Sequence, residues 1–151
     1  MIVSLVIIFG YLTFVIAKFG IPRSISDTYY LLGKKGWLFQ LALFGTAFTV
    51  VPVLIDRSSE NTQFLAFLAC AGLAFVAAAP MFKMELEGKV HYVSAAVCCC
   101  GLVLWQVFNA CWFVPIACFL AIICPVVKDK KYMWWLEIAT IVSSYVNLLW
   151  Y

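Results

Sequence analysis

The chain has 151 residues, of which 66% are hydrophobic and only 11% are charged. Soluble domains contain roughly 45–50% apolar and about 25% charged residues, and a domain of this size still exposes about a third of its unfolded surface. These proportions exclude a soluble globule, a disordered chain and a coiled coil, and they predict an integral membrane protein. The net charge of +3 is too small to predict binding to nucleic acid.

Six apolar segments are long enough to cross a bilayer, because a membrane helix needs about 20 residues to span the hydrocarbon core. They are Met1–Phe19, Trp37–Ile55, Gln63–Phe82, Val90–Phe108, Ala110–Val127 and Trp134–Tyr151. The fourth and fifth segments are continuous, and one helix over both would be about 57 Å long, so we expect a tight turn near Asn109. The predicted fold class is all-α, with six transmembrane helices in a single domain over residues 1–151.

The basic residues are concentrated in loops on one side of the predicted six-helix bundle. Nine of the 10 lie in or beside the first, third and fifth loops: Lys18, Arg23, Lys34, Lys35, Lys83, Lys89, Lys128, Lys130 and Lys131. The opposite side has only Arg57. The positive-inside rule therefore places these three loops in the cytoplasm and both termini outside it. The expected location is the cell membrane (plasma or inner membrane), which the chain crosses several times.

The sixth segment carries a polar stripe that begins with a carboxylate. Glu137 lies about one turn inside this segment, and ionisable residues inside a membrane are costly and therefore candidates for function. Thr140, Ser144 and Asn147 follow it at offsets of 3, 7 and 10 residues, so all four share one helical face. The stripe is expected to face protein. It forms either a binding cleft or interhelical hydrogen bonds of about 0.6 kcal/mol each.

The only histidine, His91, lies near the cytoplasmic end of the fourth segment. Glu87 precedes it by four residues and would reach it if the helix begins that early. His91 and Glu137 are predicted to lie at one depth and to join a polar cluster with Arg23 or Asp27. The physical reason is that unpaired polar groups in hydrocarbon cost several kcal/mol. The alternative for His91 is an ordinary structural hydrogen bond.

The longest predicted loop, Gly20–Gly36, combines polar and basic residues. Ser26 or Asp27 is suited to cap a short interfacial helix that would end at Gly33. Arg23, Lys34 and Lys35 are suited to contact anionic lipid headgroups at about 1 kcal/mol each, although charges that only set topology are the alternative. The candidate ligand-binding residues of the whole chain are therefore His91, Glu137, Thr140, Ser144, Asn147, Arg23, Ser26 and Asp27.

The sequence contains no familiar catalytic or metal-binding motif. The HExxH, GxSxG and Walker patterns do not occur, and one histidine with seven cysteines does not form a zinc set of ordinary spacing. The cysteines lie inside apolar runs, where small buried packing residues are expected. We therefore predict no catalytic residue, no metal and no cofactor.

Two short stretches have a recognisable pattern. The motif Ile25–Thr28, with the sequence ISDT, follows the first segment, and Pro80–Phe82 precedes a short acidic loop and then Val90–Tyr92. Together they resemble the DRAM/Frag1-like six-helix membrane families. This resemblance implies six helices, a role in membrane or lipid biology and no assured enzymatic activity. It also singles out three residues: Ser26, Asp27 and His91.

Three functions follow from these patterns. The first is a small polytopic protein that binds or transports a lipid or small molecule through a polar cleft on the cytoplasmic side. The second is a structural or accessory subunit, which the scarcity of ionisable groups favours. The third is a lipid-modifying enzyme with His91 as base and Glu137 as its orienter, and the lack of a nucleophile or metal set disfavours it. The expected partners are membrane lipids and either a second copy of the chain or another membrane protein.

Overall fold

A computed structural model describes residues 1–150, which form α-helices and short 3₁₀ turns without any β-strand. The helices are α1 (Ile2–Phe19), α2 (Thr28–Leu32), α3 (Trp37–Asp56), α4 (Gln63–Ala78), α5 (Glu85–Asn109), α6 (Phe113–Ala121), α7 (Ile123–Asp129) and α8 (Tyr132–Trp150). The last residue of the predicted sixth segment, Tyr151, lies outside the described residues. Four helices, namely α1, α3, α4 with its preceding 3₁₀ turn, and α5, are long and apolar enough to cross a membrane.

The turn expected near Asn109 lies where α5 ends. The boundaries of the neighbouring segments differ from those expected. Helix α4 ends at Ala78 instead of Phe82, because Pro80 disfavours a helical conformation at the residue before it. Helix α5 begins at Glu85 instead of Val90, so that its first turn is acidic and lies outside the apolar run. The Pro80–Phe82 stretch therefore belongs to a loop.

The predicted fifth segment, Ala110–Val127, is not one helix. Helix α6 has 9 residues and ends at Ala121, and α7 has 7 residues and begins at Ile123. Pro125 explains this break, because proline has no N–H to donate to the carbonyl of Ala121 and its ring crowds that carbonyl. Each half is shorter than the approximately 20 residues that a single membrane helix needs.

The backbones of helices α4 and α5 lie very close together. A Cβ atom at Gly72 would lie 2.7 Å from the backbone oxygen of Ser94 and 2.8 Å from the backbone nitrogen of Cys98. A Cβ atom at Gly101 would lie 3.2 Å from the Cβ of Ala69. Small residues at these positions let the two backbones approach closely, as at many helix contacts in membranes.

The loops that follow α1, α4 and α7 meet at one end of the bundle, which we call the basic end. The backbone N–H of Lys83 donates to the hydroxyl of Tyr30 at 3.0 Å, which joins the loop after α4 to the loop after α1. The ammonium of Lys131 donates to the carbonyl of Ile21 at 2.5 Å, which joins the start of α8 to that same loop. The basic loops predicted to share one side of the membrane are therefore in contact.

The loop after α3 meets the α5–α6 turn and the end of α8 at the opposite end of the bundle. The backbone N–H of Ser59 donates to the Asn109 side-chain oxygen at 3.0 Å. The guanidinium of Arg57 donates to the carbonyl of Leu148 at 3.1 Å. The long helices α1, α3, α4 and α5 thus run alternately between the two ends, and α6 with α7 returns the chain to the basic end, where α8 begins.

Candidate functional site

A cavity lies in the centre of the bundle, between α1, α3, α4, α5 and α8. The volume of the cavity is about 110 Å³, measured as the space that the centre of a water-sized sphere can occupy. One water molecule needs only about 10–15 Å³ by the same measure, so the cavity has room for a larger guest. The wall is mainly aliphatic, and the polar residues on it are Ser26, Thr46, Thr140, Ser144, Tyr145, three cysteines and one carboxylate, Glu137.

Glu137 is held at the basic end of the cavity by the segment between α1 and α3, residues 20–36, which we call loop one. Its Oε2 atom accepts a hydrogen bond from the backbone N–H of Ile25 at 2.6 Å. Within residues 1–150 the carboxylate receives no other hydrogen bond, and the only salt bridge joins Lys89 to Glu85. The cavity wall therefore contains a carboxylate that has one donor and no cationic partner.

His91 is buried, and each of its two ring nitrogens makes a hydrogen bond. Its Nδ1 atom lies 2.8 Å from the carbonyl oxygen of Ala79, and its Nε2 atom lies 2.8 Å from the hydroxyl of Ser26. A carbonyl oxygen only accepts, so Nδ1 carries the proton and donates. In the neutral ring, Nε2 then accepts from the Ser26 hydroxyl. Glu87, the other partner considered for His91, instead accepts from the backbone N–H of Met81 at 3.2 Å.

Ile25 and Ser26 connect Glu137 of α8 with His91 of α5. The first supplies a backbone donor to the carboxylate and the second a hydroxyl to the imidazole. These four residues, Ile25, Ser26, His91 and Glu137, form the group that we call the loop-one cluster. His91 and Glu137, which were expected to form one cluster, form no hydrogen bond with each other; each is bonded to one of two adjacent loop residues.

The side chains of Arg23 and Asp27 are not part of the loop-one cluster, contrary to the expectation. The Arg23 side chain is exposed, and its backbone carbonyl accepts from the N–H of Trp134 at 3.1 Å. Asp27 occupies the N-cap position of α2, as the sequence indicates, but its side chain makes no capping hydrogen bond. The helix that it precedes ends before Gly33, which has a φ of 53°. Both residues lie beside the cavity wall and not on it.

Hydrogen bonds made by two hydroxyl groups attach loop one to α1. The hydroxyls of Tyr11 and Thr28 are hydrogen-bonded, and Thr28 also donates to the carbonyl of Ile25 at 2.5 Å. Because the Thr28 proton goes to that carbonyl, Tyr11 is the donor of the first bond. The sequence analysis missed this pair, although a tyrosine in the middle of an apolar helix is itself a signal that it has a polar partner.

The polar stripe of α8 faces protein, as its periodicity predicts. Thr140, Ser144 and Asn147 are buried, and Glu137 is partly accessible through the cavity. Thr140 and Ser144 line the cavity, but their hydroxyl protons go to carbonyls one turn earlier in α8. They can still accept hydrogen bonds from a guest, since a hydroxyl has two lone pairs.

Asn147 serves the fold and does not line the cavity. Its amide nitrogen donates to the side-chain oxygen of Gln106 at 2.9 Å, and its oxygen accepts from the backbone N–H of Cys111 at 3.2 Å. Gln106 also donates to the hydroxyl of Ser144 at 3.2 Å. This buried group fixes the α5–α6 turn against α8. Gln106 was missed in the sequence, where its only signal is an amide inside an apolar helix.

Tyr145 is a further residue that was not predicted from the sequence. It lines the cavity, it is 6% exposed, and its hydroxyl has no hydrogen-bond partner among residues 1–150. An unpartnered buried hydroxyl costs about 1–3 kcal/mol, so a water molecule bonded to it would stabilise the fold.

In the described part of the chain, no three His, Cys, Asp or Glu side chains are grouped to hold a metal ion. No protein-family model, curated protein or solved structure matches the chain. The candidate site is therefore interpreted from its own geometry.

Proposed function

We propose that this chain is a small multi-pass membrane protein that binds or transports a lipid or small molecule in its central cavity. The observation that carries the proposal is a mainly aliphatic cavity with a single carboxylate, Glu137, at its basic end. Binding pockets are mostly apolar and contain a few polar groups that orient the ligand. A lipid-related role also agrees with what the resemblance to DRAM/Frag1-like families implies.

We further infer that the chain crosses the cell membrane six times. Helices α6 and α7 together form the fifth crossing, which from Phe113 to Asp129 extends about 26 Å. Helix α8, with 19 residues, forms the sixth. The concentration of Lys and Arg at the basic end supports placing that end in the cytoplasm, and both termini outside it.

The arrangement of His91 disfavours the alternative of a lipid-modifying enzyme. A general base must reach the proton that it removes, but both ring nitrogens of His91 are already engaged with Ala79 and Ser26. Glu137 bonds to the backbone of Ile25 and does not orient the imidazole. The alternative of an accessory subunit would leave the cavity and its unpaired carboxylate without a role.

A tryptophan placed inside the cavity tests the proposal. Ala95 lines the cavity, whereas Val93 on the same helix is 64% exposed on the outer surface. We expect Ala95→Trp to lose the lipids or small molecules that co-purify with the protein, as measured by mass spectrometry. Val93→Trp should retain them, because it changes only the surface that faces lipid.

Two results would overturn the proposed function. One is the same set of co-purified molecules in the Ala95→Trp variant and in the unmodified protein. The other is a cavity that takes up no amphiphile when the purified protein is incubated with alkyl compounds of any head group.

A further inference from the structure

We propose that the ligand of the cavity is an amphiphile with a single hydrocarbon chain and a cationic amine head group, and that the amine binds Glu137. This inference rests on the proposed function and specifies its ligand class. It follows from the charge at one end of the cavity and from the shape of the space beyond it.

The charge on the cavity wall is unbalanced. Among residues 1–150, Glu137 is the only formally charged residue that lines the cavity, and its one hydrogen bond comes from the neutral backbone of Ile25. The other titratable wall residues are cysteines and Tyr145, none of which supplies a positive charge. An ionised carboxylate in apolar surroundings is strongly unfavourable without a cation, and such a group otherwise takes up a proton. An ammonium group supplies both the positive charge and three donors, and it thereby stabilises the ionised form of Glu137.

The nearest basic side chains do not provide this missing charge. Arg23, Lys130 and Lys131 line a separate cleft of the basic end, which shares no residue with the cavity. The Lys131 ammonium already donates a hydrogen bond to the carbonyl oxygen of Ile21. A ligand with a carboxylate head would place two like charges together at Glu137, and an alcohol would offer only one donor. The chemistry therefore favours an amine.

The lining of the cavity extends along α8. It includes Glu137 and Ser26, which lie towards the basic end, and Leu54 and Leu148, which lie towards the opposite end. From Glu137 to Leu148 along α8 the distance is about 16 Å at 1.5 Å per residue. An even spread of the accessible 110 Å³ over that length corresponds to a mean cross-section of about 7 Å² for the centre of a water-sized sphere. A mean cross-section of this size fits one hydrocarbon chain and not two.

The test uses three probes that share a chain and differ in the head group: dodecylamine, dodecanol and dodecanoate. The protein is reconstituted in phosphatidylcholine nanodiscs, and equilibrium binding is corrected for uptake by empty nanodiscs. We expect the unmodified protein to bind dodecylamine about tenfold or more tightly than dodecanol, and dodecanoate most weakly. This order is measured on the unmodified chain and needs no variant.

Glu137→Gln is the matched variant, because its side-chain oxygen still accepts from the Ile25 N–H while the charge is removed. We expect it to bind dodecylamine about tenfold or more weakly, with a far smaller change in the binding of dodecanol. Ala95→Trp should reduce the binding of all three probes. Thermal unfolding of each variant verifies that it is folded.

Each outcome distinguishes the two proposals. Equal binding of amine and alcohol, both lost in Ala95→Trp, would overturn the amine inference and leave the proposed function standing. Preference for the amine that survives Glu137→Gln would overturn the assignment to this carboxylate. Binding of none of the probes above the empty nanodiscs would overturn the proposed function as well.

Discussion

The hydroxyl of Ser26 lies 2.8 Å from the Nε2 atom of His91, although 65 residues separate them in the sequence. The backbone of the preceding residue, Ile25, is bonded to Glu137 of α8. Two consecutive loop residues therefore attach the basic end of the cavity to both α5 and α8. This arrangement makes loop one a structural part of the cavity wall and not a passive connection between α1 and α3.

Replacement of His91 should loosen loop one. In His91→Ala, the Ala79 carbonyl and the Ser26 hydroxyl lose their partners, which costs about 1–3 kcal/mol for each buried group that remains unsatisfied. We expect a lower midpoint of unfolding in mixed micelles and faster proteolysis within Gly20–Gly36. Val93→Ala, on the exposed side of the same helix, is the control and should differ little. Equal stability of the two variants would contradict this role of His91.

A double-mutant cycle should show that Ser26 and His91 act together. Ser26→Ala removes the hydroxyl, and we expect the effects of Ser26→Ala and His91→Ala to be non-additive by about 0.5–3 kcal/mol, as for other residues in contact. Ser24→Ala combined with His91→Ala provides the comparison, because Ser24 instead accepts from the backbone N–H of Asp27. The measurement is the free energy of unfolding of each variant. Additivity for the Ser26 pair would show that the bond contributes no coupling.

The buried amides of Gln106 and Asn147 should contribute to the free energy of unfolding as a pair. Asn147→Leu leaves the Cys111 N–H and the Gln106 oxygen without partners, so we expect a loss of about 1–3 kcal/mol or more in unfolding free energy. Gln106→Leu added to this variant should cost less than the sum of the two single changes. Leu149→Ala, at an exposed position, is the control. A near-neutral Asn147→Leu would show that the α5–α6 turn does not depend on this amide.

Two glycine-to-alanine changes should have opposite signs. A Cβ at Gly72 would meet backbone atoms of Ser94 and Cys98 at 2.7 and 2.8 Å, so Gly72→Ala must push α4 from α5 and should cost about 1–3 kcal/mol. At Gly10, nothing lies within 4 Å of the added atom, and alanine should stabilise α1 by about 0.5–1 kcal/mol. Unfolding in mixed micelles measures both. A harmless Gly72→Ala would be inconsistent with the close contact of α4 and α5.

The proposed topology can be tested with an impermeant thiol reagent on intact cells. Lys34→Cys introduces an exposed thiol at the basic end, and Glu60→Cys introduces one at the opposite end. We expect Glu60→Cys to be labelled directly and Lys34→Cys only after the membrane is permeabilised, because the proposed topology places the basic end in the cytoplasm. The unmodified protein, with its seven cysteines, provides the background. The reverse pattern would invert the topology, and labelling of both without permeabilisation would refute a spanning arrangement.

Helical periodicity was sufficient to predict which side of α8 faces protein. Glu137, Thr140 and Ser144 recur with the helical repeat, and burial follows that repeat. The distribution of basic residues likewise predicted that certain loops share one side of the bundle, and these loops are in contact at the basic end. These features depend on local spacing, which one sequence contains in full.

Other parts of the site depend on relations that spacing does not contain. The donor to Glu137 is the backbone of Ile25, and a backbone N–H has no sequence signal. The pairing of Gln106 with Asn147 requires α5 to lie beside α8, and the order of helices in a bundle is set by packing. Pro125 predicts a local interruption, but the proline alone does not show that a helix resumes after it.

The bond between Ile25 and Glu137 joins residues that are 112 positions apart. During synthesis, loop one emerges from the ribosome long before α8 exists, so the carboxylate that holds it is made almost last. The four long helices made before it, α1, α3, α4 and α5, therefore lie together with an unfinished cavity wall between them. The wall is completed only when α8 joins them, and a chain that is truncated before Glu137 would present an open apolar cleft to the surrounding lipid.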